Sequence, residues 1–65
     1  MKASVSLFVV APSGMPEPAS SFEVEAASDD QLRTAAADEL RARGLRVRAV
    51  SFGPLGLTAY AEREP

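Results

Sequence analysis

Arginines and aromatics, rather than paired acids or activated nucleophiles, are the residues of this sequence whose types and spacing bear on chemistry. Phe8, Val10, Val50, Phe52 and Tyr60 offer flat or branched apolar surface, and Arg46 and Arg48 place two guanidinium groups two residues apart. In an extended chain that spacing brings both to one side. Aromatic and arginine side chains concentrate binding energy in protein interfaces. On a sheet they can also stack bases and hold the phosphates of a single strand. These seven residues are read as an interface, with single-stranded nucleic acid or another anionic ligand as the alternative occupant.

The remaining polar residues support little else. There is no histidine and no cysteine, so the serines have no evident base to activate them and no catalytic residue is assigned. Asp29 and Asp30 are adjacent, as are Asp38 and Glu39, and neighbouring helical residues point in different directions. Pro12-Ser13-Gly14 lacks the lysine and the longer glycine pattern of a phosphate loop. A structural zinc would have carboxylates alone to bind it, so neither metal nor cofactor is expected. The expectation is a non-catalytic protein.

Length and charge narrow the partners. At 65 residues the chain is one domain near the lower limit for folding alone, where a thin core makes self-association attractive. A second copy of the chain, or another protein, is the expected partner. The net charge of -2 and the isoelectric point near 4.9 oppose nucleic-acid binding, which draws its affinity from neutralised phosphates. The glycine-aromatic signature of an RNA-recognition motif is also absent.

Residues 2–11 start basic and turn apolar, but two serines interrupt the run and Pro12 follows Ala11, which disfavours a signal peptide. No apolar stretch approaches the ~20 residues that cross a bilayer, so no membrane association is expected. The expected compartment is the cytoplasm. Lys2 is the lone lysine against six arginines, with abundant alanine, a usage common in GC-rich bacteria.

The elements that must position these residues follow from periodicity. Residues 3–10 alternate and then become wholly apolar, as in a central strand, and residues 21–26 alternate Phe22, Val24 and Ala26 with Ser21, Glu23 and Glu25. Between them, Pro12, Gly14, Pro16 and Pro18 predict a flexible loop over 11–20 without helix or ladder. Ser28 and Gln31 have capping-box spacing, Asp29 and Asp30 suit the positive helix end, and Gly44 supplies a left-handed stop, predicting a helix over 29–43. Asp29 with Arg33 and Glu39 with Arg43 stand four apart, acid first. Leu45, Val47 and Ala49 alternate with Arg46 and Arg48, and a turn at Gly53-Pro54-Leu55-Gly56 leads to Leu57, Ala59 and Ala61 alternating with Thr58, Tyr60 and Glu62. Residues 63–65 are read as a frayed tail.

The fold class is therefore α+β, a two-layer ββαββ domain whose four-stranded, mostly antiparallel sheet is covered on one face by one helix. The expected core is Val5, Leu7, Val9, Phe22, Val24, Leu32, Ala36, Leu40, Leu45, Val47, Ala49, Leu57 and Ala59. Strand order 2-1-3-4 with antiparallel neighbours is favoured over 2-1-4-3, in which strands 1 and 4 run parallel. Unbroken alternation leaves Phe8, Val10, Arg46, Arg48, Val50, Phe52 and Tyr60 on the uncovered face, with Glu23 and Glu25 available for ion pairs to the two arginines.

Overall fold

Ser28 starts the helix in the way its spacing predicts. In the computed structural model, which describes residues 1–63, Ser28 is extended at φ −146° and its hydroxyl accepts from the Gln31 amide at 3.3 Å. The Gln31 side chain returns to the Ala27 amide at 3.2 Å, one residue before the expected one. Helix α1 runs Asp29–Ala42 with Arg43 as its C-cap, and Gly44, at φ +79°, donates its amide to the Arg41 carbonyl at 3.0 Å. Arg33 pairs with Asp30 at 2.7 Å rather than with Asp29, while Arg43 meets Glu39 at 3.1 Å as expected. Leu32, Ala36 and Leu40, four apart, form the buried stripe.

The sheet has five strands: β1 (Lys2–Val10), β2 (Pro16–Pro18), β3 (Phe22–Glu25), β4 (Leu45–Gly53) and β5 (Gly56–Arg63). The order is β2-β1-β5-β4, and β3 also pairs with β1. Because β5 occupies one side of β1, β2 and β3 share the other as a single broken lane. All pairings are antiparallel except β1 with β5. Counted by lanes this is the order 2-1-4-3, with strands 1 and 4 parallel, and it replaces the expected 2-1-3-4.

The two orders differ only in which strand of the last hairpin meets β1. Leu57, Ala59 and Ala61 of β5 are all but inaccessible, whereas Arg46 and Arg48 of β4 need water, so β5 takes the interior and β4 the charged edge. The one helix covers one face, over Val5, Leu7, Val24, Leu57, Ala59 and Ala61, with Ala3, Val9, Phe22, Leu45, Val47 and Val50 packed around them. Arg33 sits over the Phe52 ring at 5.6 Å and Arg43 over the Phe22 ring at 4.4 Å, bracketing the helix against β4 and β3.

The stretch 11–20 departs from the loop expected of it, because Pro16–Pro18 forms a ladder with β1. The Ala19 amide donates to the Leu7 carbonyl at 2.9 Å, and amide directions alternate along a strand. Pro18 and Pro16 therefore occupy the positions whose missing N–H would point away from β1. Proline is tolerated on an edge strand for this reason. Arg63, expected in a frayed tail, closes β5 opposite Leu45; Glu64 and Pro65 lie outside the described residues.

Gly56 is the most closely approached of the glycines. Its φ is +126°, and a Cβ there would lie 2.6 Å from the Ser4 carbonyl oxygen, whereas Gly44 has a left-handed φ with no atom within 4 Å of its Cβ site. Gly44→Ala meets the conformational penalty alone, about 1 kcal/mol. Gly56→Ala adds a backbone clash at the point where β5 joins β1, and its loss is expected to be about 2–3 kcal/mol. Urea unfolding of the two variants checks the order; equal losses would contradict the close approach of β5 to β1.

Candidate functional site

The residues facing away from the helix are fixed by the ladders. Val5 and Leu7 are buried under the helix, so Ser4, Ser6, Phe8 and Val10 face outward. Register carries that face across the sheet in rows: Arg46, Glu62, Val10 and Pro16; then Ala49, Tyr60, Phe8 and Pro18; then Ser51, Thr58 and Ser6. Glu23 and Glu25 stand opposite Ser4 and Lys2 at the far end of the same face.

The register of β4 shifts between Val47 and Ala49, so that Val47 opposes Ala61 while Ala49 opposes Tyr60, and Arg48 is the extra residue. A bulge of this kind reverses the alternation beyond it. Ala49 consequently leaves the expected core and becomes exposed on the open face. Val50 opposes Ala59 and packs against the core, and Phe52 opposes Leu57 on the helix side, 44% exposed beneath Arg33. The expected placement of Val50 and Phe52 on the open face is thus corrected by one inserted residue. The other five candidates, Phe8, Val10, Arg46, Arg48 and Tyr60, do share that face.

Phe8 and Tyr60 are direct partners across the parallel β1–β5 pair, and their rings stack with centroids 5.5 Å apart at 22°. Phe8 is half-buried and Tyr60 37% exposed. Pro18 and Ala49 extend the apolar row on either side, two residues that alternation alone did not assign here. Arg46 and Arg48 both reach Glu62, at 3.3 and 3.7 Å, instead of Glu23 and Glu25, which lie across the sheet on β3. These pairs are exposed and contribute little to stability; their effect is to hold both guanidinium groups along one end of the face.

Beside this end, a cleft of about 450 Å³ is bordered by Val10, Pro12, Glu17, Arg48 and Arg63. It brings together acids and arginines but no nucleophile with a base. Among the described residues no group of three or more acidic side chains is placed to hold a metal ion, no polar side chain is buried, and no helix is long and apolar enough to cross a membrane. No family model, curated protein or solved structure matches the chain.

The bulge makes a sharp forecast for two adjacent positions. Val50→Asp places a carboxylate against the core and should cost about 2–3 kcal/mol in urea unfolding. Ala49→Asp leaves its carboxylate in water and should cost less than about 1 kcal/mol. The reverse order would mean that alternation runs unbroken through β4.

Proposed function

We propose that this chain is a non-catalytic assembly module of the cytoplasm that pairs with a second copy of itself through the open face of its sheet. The observation that carries the reading is the stacked Phe8–Tyr60 pair, held outward between Val10, Pro18 and Ala49 on a face without a covering layer. Exposed aromatic surface of this kind marks docking sites more often than solvated ones.

Charge favours a protein over a nucleic acid. The same face carries basic groups at the Arg46 and Arg48 end and acidic groups at Glu23 and Glu25. A polyanion would meet repulsion at one end and arginines already shared with Glu62 at the other. A protein surface, a second copy of the chain included, carries no such uniform negative charge and avoids that repulsion.

The edges of the sheet are less receptive than its face. Pro16 and Pro18 deny donors along the β2 part of one edge, and the bulge and arginines of β4 interrupt the other. Four lanes at about 4.8 Å and about eight residues at 3.3 Å give a face of about 500 Å². Two copies then bury about 1,000 Å² in all, the lower bound of a specific interface, so the dimer should be weak, with a micromolar Kd.

Sedimentation of the purified chain should show a reversible monomer–dimer equilibrium at about 10–100 μM, and Phe8→Ser combined with Tyr60→Ser should abolish the dimer with the far-ultraviolet circular dichroism unchanged. A monomer at millimolar concentration overturns the reading. Affinity for single-stranded oligonucleotides at low salt that vanishes in the Arg46→Ala, Arg48→Ala variant would transfer the face to an anionic ligand.

A further inference from the structure

We infer, on the basis of the self-pairing just proposed, that the two copies stack as an aligned sandwich about a two-fold axis running parallel to the strands between β1 and β5. The ladders supply the reason. Two of the three rows across the open face are chemically uniform, with Ala49, Tyr60, Phe8 and Pro18 in one and Ser51, Thr58 and Ser6 in the next, whereas the row of Arg46, Glu62, Val10 and Pro16 mixes charge with apolar surface. A two-fold interface requires that if one residue meets another, the reverse contact also forms. An axis along the strands, midway between β1 and β5, lays every row on its own reversed copy.

The aromatic row then closes on itself. Phe8 lies over Tyr60 of the other copy and Tyr60 over Phe8, so that two stacked pairs merge into a cluster of four rings around the axis. Ala49 faces Pro18, and Ser6 faces Thr58, which keeps hydroxyl groups against hydroxyl groups. Arg46 faces Pro16 in this arrangement, apart from the arginines of the other copy, and Glu62 lies over Val10 at the end of the face, where its ion pair with Arg46 stays in contact with water.

Other two-fold placements of the same face are poorer. An axis perpendicular to the strands through the aromatic row brings each Arg48 close to its own copy, and like charges in contact suppress such an orientation. A diagonal axis pairs the arginine end with Glu23 and Glu25 but seats the aromatic rings over serines. Exposed ion pairs contribute less than the desolvation of four aromatic rings. Packed sheets prefer strand directions within about 30° of each other, which the strand-parallel axis satisfies.

The chain contains no cysteine, so introduced thiols are the only ones present. Ala49→Cys and Pro18→Cys both lie at exposed positions of the row, three lanes apart, about 14 Å within one copy. Mixed in equal amounts and treated with a short thiol-to-thiol cross-linker, the two variants should give a covalent dimer joining one of each, in large excess over either variant treated alone. A cross-link between two Ala49→Cys copies would overturn the axis in favour of pairing along the β4 edge. A reversible dimer by sedimentation with no mixed cross-link also overturns the axis while leaving self-pairing intact. Absence of any dimer removes both.

Discussion

One helix has one apolar stripe, and everything in this domain follows from how the sheet distributes its apolar residues beneath it. Leu32, Ala36 and Leu40 define that stripe, and the residues it buries on β1 and β5 are those with the least need of water. The strand carrying Arg46 and Arg48 is thereby displaced to an edge, and the parallel β1–β5 pair becomes the centre of the sheet. Alanines at positions 36, 59 and 61 let helix and sheet approach closely. Among the described residues there is no second helix for the other face, so Phe8 and Tyr60 are aligned and held without a covering layer.

The bulge at Arg48 decides the character of that face. Without it, Val50 and Phe52 would join Phe8 and Tyr60 in a broad greasy surface, and the β4 end of the helix layer would be left with Ala49 and Ser51. With it, Val50 completes the core, Phe52 lies beneath Arg33, and the apolar part of the open face contracts to one row and its margin. The contraction limits the affinity of any partner. It also separates an aromatic row from a hydroxyl row, a pattern that a matching copy can meet row for row.

Much of the framework could be read from residue spacing. The helix, its cap at Ser28, its stop at Gly44 and the inward side of β1 and β3 follow from local rules, since each depends on residues within one or two turns. Three features did not. The order of the last hairpin depends on comparing β4 with β5 as neighbours of β1, a non-local choice that apolar content at Val50 and Phe52 obscured. The bulge has no sequence mark beyond the proximity of two arginines to an apolar pair. The β2 ladder was hidden because prolines signal loops, and only the direction of each missing N–H shows that Pro16 and Pro18 fit an edge. Of the seven interface candidates, five lie together and two moved with the bulge.

Which sheet residues lie against the helix can be read from nuclear Overhauser contacts in solution. Contacts are expected from the Val50 methyl groups to helix side chains of the Leu32, Ala36 and Leu40 stripe, and from the Phe8 ring to Tyr60 with none to the helix. Contacts from Phe8 or Tyr60 to that stripe, with Val50 free of it, would mean that the helix covers the opposite face of the sheet.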